Sequence, residues 1–196
     1  MINITVTKLP LLNQRNEYAH YKEQLRDPNF RHMVDEGTKR EFACGKFVWA
    51  GVMEGVSVLL QRVVLGVEAW IPSAVLLELA CQDRLTPETV EKVNDPFSLK
   101  ARGTAATYFN ALPSQIDDRH ALKETDPELW ELMRTFYRDI RNPLFHGSYI
   151  SSLKATDLDY IFGQFDRVYA WCDSWCDVSA RLKEVGRRSY DPSKYR

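Results

Sequence analysis

Hydrophobic residues recur at alternating steps of three and four positions along most of this chain, which is the pattern of amphipathic helices. Residues that begin helices stand in three places: Thr38 with Glu41, Thr86 with Pro87, and Thr125 to Pro127. We therefore predict an all-α fold, an up-and-down bundle of about five helices. It should occupy residues 38–185 as a single domain.

The bounds of the predicted helices follow from capping residues and prolines. Pro72 should stop or kink the first helix, and Pro143 should end the helix before it near Arg141, since proline disfavours helical geometry in the residue preceding it. The predicted segments are 38–72, 72–82, 87–94, roughly 96–112, 127–141 and 156–186, with a loop over 113–124.

Both ends of the chain should lie outside the bundle. Ile2, Ile4 and Val6 alternate with polar residues, which favours a short strand or an extended arm. We predict an N-terminal arm over residues 1–37, with a short helix around Glu17–Leu25. Residues 186–196 are polar and partly basic, and we expect a flexible tail there.

The segment from Phe47 to Trp70 is long and apolar enough to cross a membrane, but it contains Glu54, Gln61, Arg62 and Glu68. A charge near the bilayer centre costs about 3 kcal/mol. A core helix with no membrane contact is therefore the expectation. Gly51 and Gly55 lie one turn apart in it, either because another helix packs closely there or because they are merely tolerated.

Composition narrows the range of partners. The chain has 196 residues and a net charge of −1, so any positive surface for nucleic acid must be local. Four cysteines without a recognisable signal peptide predict a protein of the reducing cytoplasm. Cys172 and Cys176 have no second pair with which to bind zinc, and we expect buried thiols. The sequence predicts no metal site and no cofactor.

The stretch Arg141–Asn142–Pro143–Leu144–Phe145–His146–Gly147 is the best candidate for chemistry. Arginine holds phosphate oxygens, and histidine exchanges protons near neutral pH. On a regular helix Arg134, Arg138 and Arg141 form one stripe opposite the apolar face, so Arg141 should point away from the core. The stripe is either a solvated charged face or a track for RNA phosphates.

This stretch resembles the motif of the HEPN superfamily, many of whose members are metal-independent RNases. The resemblance implies that Arg141 and His146 are the catalytic pair and that Asn142 assists them. It further implies RNA cleavage by 2′-hydroxyl attack, a homodimer with a composite site, and a toxin or defence role with an antitoxin or regulatory partner. One toxin subgroup has a tyrosine two positions after the histidine, whereas this chain has Ser148 there and Tyr149 next. The residues that carry the resemblance are Tyr137, Ile140, Arg141, Asn142, His146 and Gly147.

Three functions remain open on the sequence. The first is the endoribonuclease, with Arg141, His146 and Asn142 catalytic and with Arg134, Arg138 and Tyr149 binding RNA. The second is a HEPN-like module that binds RNA, a nucleotide or a protein without cutting. The third is a structural dimerisation bundle, in which Arg141 and His146 would hydrogen-bond within their own subunit.

Overall fold

The fold is all-α, as the sequence predicts. The computed structural model describes residues 8–44, 50–148, 150 and 153–189, with the side chains of 15–36, 53–148, 150 and 153–186. Among the described residues there is no strand. The α-helices are α1 (Lys8–Gln24), α2 (Pro28–Cys44), α3 (Ala50–Cys81), α4 (Pro87–Asn94), α5 (Thr104–Ala106), α6 (Leu122–Thr125), α7 (Pro127–Phe136), α8 (Asn142–Phe145), α9 (Ala155–Trp175) and α10 (Val178–Ser189).

Helix α3 is the centre of the bundle and contacts α1, α2, α8, α9 and α10. Its Val64, Ile71 and Val75 are fully buried. Met53–Cys81 has the length and the mean hydropathy, 1.7, of a membrane span, but most of its most apolar stretch is buried against other parts of the chain. Gly55 is exposed and a β-carbon there would meet nothing within 4 Å, so the close helix packing considered at Gly55 is not seen among the described residues. Gly51 lies among side chains that are not described.

The short helix predicted around Glu17–Leu25 is confirmed as part of α1, but the predicted N-terminal arm outside the core is wrong for its described part. Residues 8–24 and 28–44 are helical, and Tyr18, Leu25 and Val34 are buried in the core. Helix α2 begins after Asp27, whose carboxylate accepts the backbone N–H of Asn29 at 2.8 Å. The alternating residues Ile2, Ile4 and Val6 lie outside the described residues.

Two predicted helix boundaries near α3 are also wrong. Thr38 lies inside α2 and does not begin a helix, and Pro72 lies inside α3 and does not end it. Proline in a helix interior costs about 3 kcal/mol. Apolar residues on both sides of Pro72 are fully buried, and this burial keeps the helix continuous.

The predicted caps of α4 and α7 are confirmed. Thr86 Oγ1 accepts the backbone N–H of Thr89 at 3.2 Å, and Asp126 accepts that of Leu129 at 3.0 Å. The predicted helix over 96–112 is wrong in its first half. There a 3₁₀ turn ends at Lys100, which has a φ of 54°, and α5 begins only after Gly103.

The predicted final helix from Thr156 to Gly186 is two helices, α9 and α10. Cys176 between them is extended, with φ −144° and ψ 99°. Asp177 then accepts the backbone N–H of Ala180 at 2.9 Å and caps α10. Helix α10 continues past Gly186 to Ser189, so the predicted tail is helical at its start, and residues 190–196 lie outside the described residues.

A candidate anion site between two π-helical turns

Two π-helical turns define the candidate site. The first is Thr107–Ala111 and the second is Tyr137–Arg141. In each, an N–H bonds the carbonyl five residues earlier: Leu112 to Thr107 and Asn142 to Tyr137. A proline is the second residue after each turn, and a proline ring clashes with the carbonyl four residues before it in a regular helix. The wider turn relieves that clash, and such turns occur frequently at functional sites.

Two sequence predictions about Arg141 are wrong: that it points away from the core and that the helix ends there. The second π turn holds one more residue than an α-turn and so breaks the regular 100° spacing of side chains. Arg141 therefore does not share the exposed stripe of Arg134 and Arg138. The Arg141 side chain is only 15% exposed. The helix also does not end there, since α8 continues it through Pro143 to Phe145.

Arg141 is held by an ion pair with Glu68 of α3. Its Nε donates to Oε1 at 3.0 Å and its Nη2 donates to Oε2 at 3.1 Å, and the Glu68 side chain is 7% exposed. Nη1 donates to Asn142 Oδ1 at 3.3 Å, and Cζ lies 4.2 Å from the centre of the Phe145 ring. A guanidinium has five N–H groups. One N–H on each Nη therefore makes no hydrogen bond with a described residue.

Two tyrosine hydroxyls border this ion pair. Tyr137 is fully buried, and its hydroxyl has no hydrogen bond of regular geometry with a described residue. Burial raises its pKa, and the negative charge of Glu68 adds to the effect. Burial and Glu68 also raise the pKa of Tyr108 in the first π turn. Both hydroxyls therefore stay protonated at neutral pH and can serve as hydrogen-bond donors.

His146 stands at the exposed end of α8. Gly147 follows it with a φ of 86°, its N–H bonds Leu144 O at 3.4 Å, and Ser148 N–H bonds Pro143 O at 2.9 Å. This is the Schellman motif, which ends a helix on a glycine. The His146 ring is exposed and makes no hydrogen bond or ion pair with a described residue. Its position one turn beyond Arg141 is fixed by the backbone rather than by side-chain contacts.

Polar side chains of α3 form hydrogen bonds with the backbone of the motif segment and of the residues after it. Gln61 Nε2 donates to Leu144 O at 2.9 Å, and Ser57 Oγ accepts the backbone N–H of Ile150 at 3.1 Å. With Glu68, these side chains make three polar contacts from a largely apolar helix to the motif segment and the residues after it. Sequence reasoning did not assign Ser57, Gln61 or Glu68 to the site. The signal was present, because a polar residue in an apolar core helix needs a partner.

Arg134 and Arg138 lie on the surface, with side chains 59% and 68% exposed. Each pairs with a neighbouring carboxylate, Glu131 or Asp139, in contacts that contribute little to stability. They are accessible but are not brought together with Arg141. Tyr149, the third predicted RNA contact, lies outside the described residues.

The described residues contain no group of three or more histidine, cysteine or acidic side chains arranged for a metal. Cys172 and Cys176 are buried, as predicted, and neither is in a disulfide. Burial raises the pKa of the Cys176 thiol to about 12. These thiols pack in the core and take no part in the candidate site.

Comparison of the chain with family models, with curated proteins and with solved structures found no match. The resemblance to the HEPN motif therefore rests on the residues of the motif and on the all-α fold.

Proposed function

We propose that this protein is a metal-independent endoribonuclease of HEPN type that acts as a homodimer. The observation that carries the proposal is the placement of two complementary groups at the two ends of one short helix, α8. Arg141 is held in a fixed orientation with two unused N–H groups, and an exposed His146 lies one turn further on. These are a phosphate-binding cation and a proton-transfer group.

In the proposed reaction His146 removes the proton from a ribose 2′-hydroxyl. The 2′-oxygen attacks the adjacent phosphorus, and the bond from phosphorus to the 5′-oxygen breaks. The products are a 2′,3′-cyclic phosphate and a 5′-hydroxyl, the latter formed when an acid supplies a proton to the leaving oxygen. Arg141 stabilises the charge that develops on the phosphoryl oxygens. Asn142 steadies Nη1 of Arg141 through its side-chain oxygen.

One histidine does not act as base and acid in the same step. A second copy of the chain related by two-fold symmetry would supply the second histidine, and two-fold dimers are the commonest oligomers. Arg134, Arg138 and Tyr149 would bind flanking phosphates or bases. By the HEPN resemblance we infer a toxin or defence protein with an antitoxin or regulatory partner. The cysteine content supports the cytoplasm as its location.

A second candidate function is supported by the ion pair itself. Arg141 hydrogen-bonds within its own subunit, and the Glu68 carboxylate cancels its net charge. Such a pair stabilises the bundle without chemistry. It suits the structural dimerisation bundle, the alternative in which Arg141 hydrogen-bonds within its own subunit.

Single-turnover cleavage of a mixed RNA pool in the presence of EDTA tests the proposal. Wild-type protein should leave 2′,3′-cyclic phosphate ends, His146→Ala should abolish cleavage, and DNA of the same sequence should be resistant because it lacks the 2′-hydroxyl. His20→Ala is a matched control, since His20 is also exposed and lies in α1. A folded, dimeric wild-type protein that leaves the pool intact would favour the binding module.

A further inference from the structure

Helix α3 carries two buried glutamates that form nearly identical ion pairs with arginines. Glu68 binds Nε and Nη2 of Arg141 at 3.0 and 3.1 Å, and Glu78 binds Nε and Nη2 of Arg181 at 2.8 and 2.9 Å. The side chains of Glu68 and Glu78 are 7% and 5% exposed. The two pairs therefore provide a comparison within one helix.

The surroundings of the two arginines differ. Arg181 links α10 to α3, and its Nη1 donates to Glu184 in α10. Its role is therefore structural. Each arginine keeps one N–H on each Nη without a described partner, but only Arg141 lies next to α8, the helix that ends at His146. The guanidinium of Arg141 is also stacked at 4.2 Å from the centre of the Phe145 ring. Its plane is therefore fixed by Glu68 along the Nε–Nη2 edge and by the Phe145 ring on one face. The N–H of Nη1 and the N–H of Nη2 that have no described partner are called the open edge.

We propose that Glu68 is a positioning residue of the site, which orients the open edge of Arg141 toward the scissile phosphate of RNA. The inference rests on the proposed function, because the phosphate in question is the one that is cleaved. A guanidinium edge binds two phosphate oxygens only when its plane is correctly aligned. The Glu68 carboxylate fixes that plane while its own charge opposes the phosphate.

A substitution of Glu68 should therefore change RNA affinity and cleavage rate in opposite directions, which a substitution of a merely structural residue would not do. Replacing Glu68 by glutamine keeps the size of the side chain but removes its charge. One carboxylate oxygen becomes an NH₂ group, which cannot accept a hydrogen bond from the N–H of Arg141 that it faces. Ground-state binding of phosphate should therefore tighten while alignment worsens. A misplacement of about 1 Å costs on the order of 100-fold in rate.

The experiment uses the full-length chain as E68Q, E68D and the matched control E78Q. For each protein we would measure the single-turnover rate constant and KM for RNA. We would also measure Kd for a 2′-O-methyl RNA of the same sequence, which lacks the nucleophile, at several salt concentrations. Melting temperature reports folding, and E68D guards against the case in which E68Q does not fold.

We expect E68Q to cleave at least about tenfold more slowly. It should bind the 2′-O-methyl RNA more tightly than wild type, with a salt dependence steeper by about 0.7, the value of one added phosphate contact on a single strand. E68D keeps the charge and should recover part of the rate. E78Q should lower the melting temperature and leave rate and affinity unchanged.

The proposal is overturned if rate and affinity fall together in E68Q, or if E78Q slows cleavage as much as E68Q does. Failure of the ribonuclease function is a separate result, seen as no cleavage by the wild-type protein. In that case the affinity for the 2′-O-methyl RNA still tests the role of Glu68. Tighter binding with a steeper salt dependence in E68Q alone supports orientation of a phosphate-binding Arg141 by Glu68. Unchanged binding in E68Q, or no binding by any of the proteins, rejects it.

Discussion

Glu68 and Arg141 form a buried, two-point ion pair across 73 positions of sequence, and it joins the middle of α3 to the second π-helical turn. The pair explains why an apolar core helix carries a charge at that position. It also brings together the two parts of the chain with the most distinct sequence signals, the apolar segment and the Arg–Asn…His motif.

Arg141→Ala should lower the free energy of unfolding by about 3 kcal/mol, because it leaves the Glu68 carboxylate buried without its partner. His146→Ala should change it by no more than about 0.5 kcal/mol, since the ring is exposed and unbonded to described residues. Urea unfolding followed by circular dichroism measures both. Equal losses in the two variants would contradict the pairing. Activity assays of Arg141 variants therefore need a folding control.

Pro143→Ala should remove the reason for the second π turn and let the segment relax toward a regular helix. Arg141 would then rotate away from Glu68 and leave that buried carboxylate without its partner. RNA cleavage should therefore fall by about tenfold or more, and the free energy of unfolding should fall by up to about 3 kcal/mol. Pro113→Ala, at the same position after the first π turn, is the control and should affect cleavage less. Cleavage rates and a crystal structure of each variant check this. A Pro143→Ala variant that keeps the π turn and the ion pair would show that the tertiary contacts alone hold the turn open.

Gly147→Ala should destabilise the protein by about 1 kcal/mol, because the φ of 86° is strained for any residue with a β-carbon. No atom blocks such a β-carbon, so the cost arises from the backbone alone. The strain should also displace His146, the residue before it, and slow cleavage. Ser148→Ala is the control, and thermal unfolding together with cleavage rates distinguishes the two effects.

Asp126 should contribute to stability in a pH-dependent manner. Burial alone would raise the pKa of its carboxyl group, but hydrogen bonds from the Leu129 backbone N–H and from Arg167 lower it below the usual value. The stabilisation is therefore present above about pH 4, the ordinary carboxyl pKa, and is lost as the pH falls through the lowered value. Asp126→Ala should cost about 1 kcal/mol at pH 7, a figure kept small because the Arg167 pair is partly exposed. Urea unfolding at pH 7 and pH 2.5 should show the deficit shrinking, and a constant deficit would contradict the assignment.

Cys176 should resist alkylation in the folded protein. Burial raises its pKa to about 12, so almost no thiolate forms at pH 8. Because the folded pKa lies above the unfolded one, the free energy of unfolding should fall as the pH rises from about 9 toward 12. Iodoacetamide labelling before and after unfolding measures the first effect. Cys176→Ala should weaken the alkaline loss, and an unchanged loss would assign it to other groups.

Local chemistry determined the starts of several helices. Thr86 and Asp126 each cap a helix with a side-chain oxygen, and a proline follows each of them, so the signal lies within four residues of sequence. Pro72 shows the limit of this reasoning. A local rule predicts a stop or a kink there, but burial on both sides of the proline keeps α3 continuous.

The candidate site, too, could be predicted from the sequence only in part. Arg141, Asn142, His146 and Gly147 can be recognised in the sequence because they lie within seven consecutive positions. Pro143 and Pro113 mark the places where a regular helix is strained. The orientation of Arg141 could not be predicted from the sequence, because a single π turn rotates it relative to Arg134 and Arg138. The partner of Arg141 is even less accessible to sequence reasoning.

The sequence by itself determined the all-α class, the caps and the motif, since each depends on neighbours within a turn or two of helix. Only the tertiary structure decided that Glu68 faces Arg141 and that Ser57 and Gln61 support the segment after it. It also decided that Tyr18, Leu25 and Val34 of the predicted arm belong to the core. Such contacts depend on how distant helices pack, and each is selected by the burial of a polar group that needs a partner. Glu68 was visible in the sequence as a charge in an apolar helix, but only packing identified the residue that it serves.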